Sequence, residues 1–282
     1  MQTVTSNDIQ SVAQFVTHVT LPKAESHKGQ NGRVLIVGGS PLFHAASLWS
    51  AEVVSHFADM VHYASTSDNN EIFQSLKKTF RNGIAVKREQ LSEYLLEDDI
   101  TLIGPGLERT EETRELTLNI IRTIGDKRLV IDAGSLQMMK PEWLRELSQK
   151  AIITPHQKEF EALFSVSIST MSESETMQIV QQKAAEYHCV ILMKAITDYV
   201  SDGEQTVVIH GGNQGLTKGG TGDILAGLVS GLCTVADRFT ACVLASFILK
   251  RSADQLFSTH GYWYNNSHIL TTIPKVVHEL LI

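Results

Sequence analysis

The chain has 282 residues, of which 43% are hydrophobic and 20% charged, and its formal net charge is −7. This length and apolar content favour one large hydrophobic core and an ordinary water-soluble protein. The acidic balance offers no basic face for a phosphate backbone, so we expect no nucleic acid partner. No apolar run reaches membrane-spanning length and no secretory signal is recognisable, which predicts a cytoplasmic protein without membrane contact.

The three cysteines, Cys189, Cys233 and Cys242, lie in apolar stretches of the chain. They show no CxxC spacing and no clustered histidines accompany them. We interpret them as buried free thiols in a reducing compartment rather than as disulfide partners or zinc ligands.

Short apolar segments alternate with helical segments along most of the chain. Ser6 is expected to cap a first helix at residues 7–16, and a polar loop then leads to the first strand. Further helices are predicted at residues 45–58, 70–79, 89–96, 110–123 and 172–187. Strands are predicted at residues 33–37, 60–65, 84–86, 100–103, 129–131, 151–153 and 190–193. Strands this short and this apolar are buried on both faces, as in a parallel sheet between two layers of helices.

The pattern changes after the strand at residues 190–193. Segments 199–201 and 206–210 flank Asp202 and Gly203, which indicates a two-residue hairpin and an antiparallel edge on the sheet. Three helical segments follow at residues 221–232, 236–257 and 274–281. The fold class predicted is α/β: one mostly parallel, doubly wound sheet with helices on both faces and an antiparallel edge.

Ligands of such sheets bind beyond the carboxyl ends of the strands. Five loops directly follow predicted strands and should line one crevice: Gly38-Gly39-Ser40, Gly104-Pro105-Gly106, Asp132-Ala133-Gly134, Thr154-Pro155-His156 and Lys194-Ala195. The sequence therefore predicts a ligand site at this edge of the sheet.

The most informative segment is HGGNQGLTKGGTGDILAG, residues 210–227. Its glycines let the backbone approach a ligand, and the apolar helix that follows presents unpaired N–H groups to an anion. Asp223 lies in the first turn of that helix, where its charge repels a phosphate. A carboxylate at this place is explained if it is the general base for a hydroxyl that attacks a phosphoryl group. The alternative is a helix cap in an ordinary turn.

Several of these residues have a structural alternative. The 38–40 segment is either a tight turn or a binding loop. His156 is either the N-cap of a helix or a contact for a substrate amide or phosphate. Asp132 is either a cap on the following turn or a site residue. Lys194 either covers a strand end with its stem or contacts phosphate.

Four common catalytic motifs are missing from the sequence: HExxH, CxxC, GxSxG and GxxxxGK[ST]. Their absence disfavours a metallopeptidase, a serine hydrolase and a P-loop nucleotidase.

Four segments, in order and spacing, resemble the NAD(P)H-hydrate dehydratase family: HKGQNGRVLIVGGS, IGPGL, TPHQKEFEALF and GNQGLTKGGTGDILAG. The family belongs to the ribokinase-like superfamily and repairs hydrated NADH and NADPH with a nucleotide, typically ADP in bacteria and ATP in eukaryotes. We expect no fused epimerase domain. The domain prediction is an N-terminal helix and leader at residues 1–27 and one ribokinase-like domain at residues 28–282.

The resemblance implies a carbon–oxygen lyase that works in metabolite repair. Asp223 would deprotonate the hydroxyl of the hydrate as it attacks the terminal phosphoryl group of ADP or ATP, and phosphate would then leave by elimination. Mg²⁺ would bridge the phosphates, although no protein residue is assigned to the metal. Family members often form tetramers, so a homo-oligomer is expected.

By motif match, the resemblance assigns three groups of residues. Substrate contacts would be Ala46, Gly106, His156 and Asp223. Nucleotide contacts would be Lys194, Ala195, Ile196, Thr197, Asp198, Gly220, Thr221 and Gly222. Supporting residues would be Gly38, Gly39, Ser40, Asp132, Asn213 and Lys218.

The chain departs from the family pattern at four places. The family usually has Asp-Ala-Asp at 132–134, glycine at 45, Lys-Gly at 194–195 and Ala-Thr at 217–218. Lys218 adds a cation that we expect close to the phosphates, where it would suit a different nucleotide length or substrate. Two alternatives remain: a small-molecule kinase that phosphorylates an alcohol such as a vitamin precursor, and a nucleotide-binding module without catalysis.

Overall fold

A ten-stranded sheet runs through the computed structural model, which describes residues 2–282. The strands are β1 (Gln2–Thr5), β2 (Arg33–Val37), β3 (Met60–Ala64), β4 (Ile84–Val86), β5 (Ile100–Ile103), β6 (Arg128–Ile131), β7 (Ala151–Ile153), β8 (Cys189–Met193), β9 (Asp198–Ser201) and β10 (Thr206–His210). Their order across the sheet is β1-β10-β9-β8-β7-β6-β5-β2-β3-β4. Strand β9 runs antiparallel to both of its neighbours, and the other pairs are parallel.

Helices cover both faces of the sheet. They are α1 (Ala13–Val16), α2 (His44–Val54), α3 (Ser67–Ser75), α4 (Leu91–Glu97), α5 (Glu111–Thr123), α6 (Ala133–Met138), α7 (Gln157–Phe164), α8 (Glu173–Glu186), α9 (Thr221–Leu232), α10 (Arg238–His260) and α11 (Asn266–Leu281). Short 3₁₀ turns lie at Ile9–Val12, Leu76–Lys78, Arg88–Gln90, Pro141–Glu146 and Gln214–Thr217.

The strands send alternate side chains into two hydrophobic cores, one on each face. In β2, Val34 and Ile36 join the core closed by α2, α9, α10 and α11, whereas Leu35 and Val37 join the core closed by α4, α5, α7 and α8. A strand that is buried on both faces has no polar side to present. The prediction of a mostly parallel α/β sheet with helices on both faces is confirmed.

The N-terminal segment differs from its prediction. Strand β1 was not predicted, and it pairs with β10 in the main sheet. Asp8 rather than Ser6 caps the first turn, by accepting the N–H of Gln10. Ser6 is buried and donates its hydroxyl to Asp254. Residues 2–5 are therefore part of the sheet rather than of a leader outside the domain.

The hairpin and the last helix also differ from their predictions. The turn between β9 and β10 spans residues 202–205, because Asp202 accepts the N–H groups of both Glu204 and Gln205. The edge beyond β10 is occupied by β1, so β9, the antiparallel strand, lies inside the sheet. Pro274 does not start the last helix: α11 begins at Asn266 and contains the proline.

The cysteines and the helices of residues 2–282 test two predictions made from composition. Cys189, Cys233 and Cys242 are free and buried, as expected. Burial raises the pKa of the Cys189 and Cys233 thiols to about 12. No helix in this range is both long and apolar enough to cross a membrane.

Candidate active site

The loops that follow β2 and β5 are fastened to each other at the carboxyl edge of the sheet. The N–H of Gly39 donates to the carbonyl of Pro105 at 2.8 Å. A Cβ on Gly38 would lie 2.3 Å from that same carbonyl oxygen, so only glycine permits the approach. The hydroxyl of Ser40 accepts the N–H of Phe43. The 38–40 segment thus forms a turn that supports the neighbouring loop, and a ligand contact there stays a prediction.

Helices α2 and α9 bring Asp223 over the same edge. The hydroxyl of Ser50, on α2, donates to the backbone carbonyl of Asp223 at 2.8 Å. A Cβ on Gly227 would lie 2.9 Å from the Ser50 backbone, so the helices lie in close contact. Ala46, Gly106 and Asp223, three of the four predicted substrate contacts, line one cleft of about 450 Å³.

The glycine loop is held in place by residues that are distant in sequence. Asn213 donates to the Ala253 carbonyl and accepts the hydroxyl of Tyr264 at 2.7 Å. The side chain of Asn266 donates to the carbonyl of Gly219 at 2.8 Å. Gly220 caps α9 with φ of 99°, and a Cβ there would lie 1.9 Å from the Trp49 ring. The conformation of the loop therefore requires glycine at position 220.

The first turn of α9 presents two unused donors. The N–H groups of Gly220 and Gly222 find no acceptor among residues 2–282. The N–H of Thr221 is weakly engaged, with the Lys218 carbonyl at 3.4 Å. Free N–H groups at a helix N-terminus attract an anion. Two of the three predicted donors are thus available to a phosphoryl group.

Asp223 lies in an environment that favours its neutral form. Burial and, to a smaller extent, the negative charge of Asp132 raise the pKa of its carboxyl to about 7, against the opposite influence of the nearby Lys194 ammonium. A base with a pKa near 7 is matched to proton transfer at neutral pH. The carboxylate that was anomalous in the sequence therefore has the acidity of a general base.

Lys194 and Asp132 form an ion pair beside Asp223. The Lys194 ammonium donates to Oδ1 of Asp132 at 2.7 Å, and a Cβ on Gly222 would lie 3.4 Å from that ammonium. Burial lowers the pKa of Lys194, but the charges of Asp132, Glu159 and Asp223 outweigh it and the pKa is raised overall. Asp132 occupies the N-cap position of α6, but its side chain makes no capping hydrogen bond. A cation is thereby fixed at the start of α9.

His156 serves as the helix cap that the sequence allowed. Its Nδ1 accepts the Glu159 N–H at 3.1 Å, and the Glu159 carboxylate accepts the His156 N–H at 2.9 Å. The His156 side chain is 51% exposed and lines a second cleft, of about 620 Å³, beside the first. The capping role is confirmed, and the substrate contact stays a prediction.

The segment 194–198 is anchored from inside the protein. Asp198 accepts the N–H of Ala195 and the hydroxyl of Ser246, while the Lys250 ammonium lies 3.5 Å away and donates to the Ile196 carbonyl. The Ile196 side chain is 94% exposed. A nucleotide contact by this segment, Thr197 included, stays a prediction, and the Asp198 carboxylate already has protein partners.

Lys218 points away from the position that we expected for it. Its ammonium donates to the Tyr262 carbonyl at 2.7 Å and lies 5.1 Å from the centre of the Tyr264 ring. The cation thus fastens the glycine loop to the segment before α11. A phosphate contact by Lys218 stays a prediction that requires this bond to break.

The departure at residue 134 has a packing explanation. A Cβ on Gly134 would lie 2.2 Å from the Leu107 carbonyl oxygen, so the second Asp of the family pattern does not fit the present backbone. Ala133 adopts φ of 45°, which a non-glycine residue rarely does. Among residues 2–282, no group of three or more His, Cys, Asp or Glu side chains is arranged to hold a metal ion.

Sequence reasoning missed several residues that build the site. Glu159 had a signal, because it stands three positions after His156 in a capping-box arrangement. Trp49, Tyr264 and Asn266 had none, since they meet the glycine loop from parts of the chain that are distant in sequence. Only the folded structure reveals such contacts.

The profile of the NAD(P)H-hydrate dehydratase family matches residues 34–275. The chain belongs to this family. A bifunctional NAD(P)H-hydrate repair enzyme of Pyrobaculum aerophilum is 31% identical over 267 residues, covering 90% of the chain and 52% of the relative. The ADP-dependent (S)-NAD(P)H-hydrate dehydratase of Nitrosopumilus maritimus is 33% identical over 224 residues, covering 74% and 75%. The chain thus spans about half the length of the bifunctional relatives.

Two solved structures share the fold of this chain. A protein of Streptococcus mutans superposes with a TM-score of 0.83 at 26% identity, covering 98% of this chain and 99% of that one. The ADP/ATP-dependent NAD(P)H-hydrate dehydratase of Bacillus subtilis, co-crystallized with ATP/Mg²⁺, gives 0.83 at 21%, covering 97% of each chain. The ribokinase-like architecture expected from the family resemblance is confirmed.

Proposed function

We propose that this chain catalyses the nucleotide-dependent dehydration of hydrated NADH or NADPH, as a lyase of metabolite repair. The observation that carries the proposal is the placement of Asp223, whose pKa of about 7 suits a general base, in the same helical turn as the free N–H groups of Gly220 and Gly222. Family membership supports the same reaction.

The first step joins the substrate hydroxyl to phosphorus. Asp223 takes the hydroxyl proton as the oxygen attacks the terminal phosphoryl group of ADP or ATP, and the bond from phosphorus to the nucleotide leaving group breaks. The N–H groups of Gly220 and Gly222 stabilise the charge on the transferred group. Loss of one such donor lowers the rate by about 10² to 10³. Lys194 adds positive charge next to the same turn.

The second step restores the double bond of the nicotinamide ring. Phosphate leaves with the electrons of the carbon–oxygen bond, and the neighbouring ring carbon loses a proton. Hydroxide is a poor leaving group and phosphate is a good one, which explains why a dehydration consumes a nucleotide.

Mg²⁺ fits this site only as a partner of the nucleotide phosphates. Residues 2–282 offer no cluster of three metal-binding side chains, and Gly134 stands where the family usually has an additional carboxylate. When bound, Mg²⁺ neutralises phosphate charge. The chain itself contributes the Lys194 cation and the N–H groups of α9.

The alternative of a small-molecule kinase has weaker support. The hydroxyethylthiazole kinase of Pyrococcus horikoshii shares 16% identity with a TM-score of 0.62, which shows a common fold alone. A binding module without catalysis leaves the position of Asp223 unexplained, since a carboxylate weakens phosphate binding.

Product analysis separates the three possibilities. Purified protein is incubated with hydrated NADH or hydrated NADPH, Mg²⁺ and either ADP or ATP. The proposal predicts that reduced-nicotinamide absorbance recovers and inorganic phosphate is released with one nucleotide. A stable phosphorylated product indicates a kinase, and binding without turnover indicates a module.

We also infer a cytoplasmic homo-oligomer, as the tetramers of the family suggest. The three reduced cysteines suit a reducing compartment. Trp263 is 87% exposed, and such large apolar side chains are frequent at protein interfaces. Light scattering that gives a mass well above 31.2 kDa supports the oligomer, and a monomer mass contradicts it.

A further inference from the structure

The second cleft adjoins the first one, which contains Asp223. Arg109 and Gln137 line both clefts, so the two meet at these residues. Asp223 belongs to the first cleft and His156 to the second. A long substrate that reacts at Asp223 and touches His156 therefore extends through both.

The second cleft has a positive lining in an acidic protein. Arg109, Lys140 and Lys158 line it, and all three are exposed. None of the three forms an ion pair with an acidic side chain of residues 2–282. The whole chain has a net charge of −7. Three unpaired cations at one cleft therefore form a local anion-attracting surface.

The acidic residue in this lining is engaged in hydrogen bonds. Glu159 is 8% exposed; its carboxylate accepts the His156 N–H at 2.9 Å and the Gln137 side-chain amide at 2.7 Å. Gln137 in turn accepts a hydrogen bond from Nε of Arg109. This row of side chains fixes Arg109 at the junction of the clefts and leaves its terminal nitrogens free for a ligand.

We propose that the second cleft binds the phosphate groups of the hydrated dinucleotide, through Lys140 and Lys158 and with Arg109 at its entrance. This inference rests on the proposed function, because the reacting ring occupies the first cleft and the remainder of the dinucleotide extends beyond it. Guanidinium and ammonium groups bind phosphate oxygens through charge-assisted hydrogen bonds. The phosphates are either the pyrophosphate, common to both hydrates, or the 2′-phosphate, which only the NADPH hydrate carries.

The test compares the double variant Lys140→Gln/Lys158→Gln with Lys275→Gln, an exposed lysine outside both clefts. KM and kcat are measured with each hydrate at two salt concentrations. We expect KM of the double variant to rise on the order of tenfold with kcat retained, because the lost contacts bind substrate and transition state equally. The rise should shrink at high salt, and Lys275→Gln should match wild type.

Comparing the rise in KM between the NADH hydrate and the NADPH hydrate shows which phosphate group the second cleft binds. A rise limited to the NADPH hydrate assigns the 2′-phosphate, and equal rises assign the pyrophosphate. Unchanged KM for both hydrates, together with unchanged binding of unreactive NAD⁺ and NADP⁺ in calorimetry, overturns the inference. Failure of wild-type protein to dehydrate either hydrate instead contradicts the proposed function. In that case the calorimetry still tests the cleft, since loss of NADP⁺ or NAD⁺ affinity in the double variant supports it and equal affinity refutes it.

Discussion

Asp223 is the residue in which the sequence and the structure agree most closely about chemistry. Its position at a helix end predicted to bind phosphate was anomalous in the sequence, and its surroundings raise its pKa to about 7. Burial contributes most, Asp132 adds to it and Lys194 opposes it. The two charge influences are separable by mutation, because Asp132 follows β6 and Lys194 follows β8.

The acidic limb of the pH profile should follow Asp223. A general base works only when it is deprotonated, so kcat/KM should rise with pH through about pH 7. Lys194→Met removes the charge that lowers the pKa of Asp223 and should move this limb to higher pH. Asp132→Asn removes a charge that raises the pKa and should move it to lower pH. Shifts in the same direction for both variants would contradict this account of the carboxyl.

Asp223→Asn should stabilise the folded protein above neutral pH. The ordinary pKa of an aspartate is 3.8, and that of Asp223 in the folded protein is about 7. The folded chain therefore binds the proton more tightly than the unfolded chain, and its stability falls as the pH rises from about 4 to about 7. Asparagine has no such proton to lose. The free energy of unfolding of the variant should exceed wild type by as much as about 4 kcal/mol at pH 8. Urea unfolding at pH 4 and pH 8 measures it, and an equal difference at both values argues against the linkage.

Residues of the site differ in how far sequence could predict them. Asp223 and Lys194 were predictable because each directly follows a strand or a glycine loop, where the fold class places ligands. The ion pair of Asp132 with Lys194 was not predictable, since it joins residues that are 62 positions apart. Lys218 was placed near phosphate on charge alone, and the structure turns it to Tyr262.

At the scale of elements, the glycine loop is defined by the helices around it. Trp49 on α2 and Asn266 on α11 both approach Gly220 closely, so the cap of α9 depends on two other helices. The geometry of the proposed phosphate site therefore depends on helix packing and on the loop together.

Gly220→Ala should disrupt the loop, whereas Gly219→Ala should not. A methyl group at Gly220 meets Trp49 and Asn266 and requires φ of 99°, but one at Gly219 has no atom within 4 Å. We expect Gly220→Ala to lose at least about 1 to 3 kcal/mol of unfolding free energy and to raise the nucleotide KM. Urea unfolding and steady-state kinetics of both variants measure this. Equal behaviour of the two would refute the packing argument.

Helix α10 supports the segment 194–198 through a buried cation. Lys250 is 4% exposed, lies 3.5 Å from Asp198 and donates to the Ile196 carbonyl. Lys250→Met removes the counter-ion of the buried Asp198 carboxylate and should lower the unfolding free energy by about 3 to 5 kcal/mol. Adding Asp198→Asn should recover part of that loss. Substitutions at the surface usually change the unfolding free energy by less than about 0.5 kcal/mol. A change in Lys250→Met within that range would show that the ion pair does not stabilise the fold.

The bounds of strands and helices were predicted best where a short, fully buried apolar run defines the element. Strands β2, β5 and β7 have the predicted bounds because their short apolar runs fit a strand buried on both faces. Strand β1 was missed because three of the four residues in QTVT are polar and its partner β10 is far along the chain. Pro274 misled the assignment of α11, since proline favours the first turn of a helix but here lies inside one that Asn265 caps.

At the scale of the whole molecule, the sheet explains why one edge contains all the chemistry. The segments after the parallel strands β2, β5 and β6 line one cleft with Asp223, and Lys194, after β8, lies next to Gly222. The alternation of strands and helices made this architecture predictable. The division of the edge into two clefts was not, because it depends on which side chains line the space.

The most direct test of the central claim is turnover by wild type and Asp223→Asn with hydrated NADH or NADPH, Mg²⁺ and ADP or ATP. Wild type should restore reduced-nicotinamide absorbance and release phosphate. Asp223→Asn should bind the nucleotide and remain folded, with kcat lowered by about 10² to 10⁴. Unchanged turnover in the variant would contradict the assignment of Asp223 as the general base.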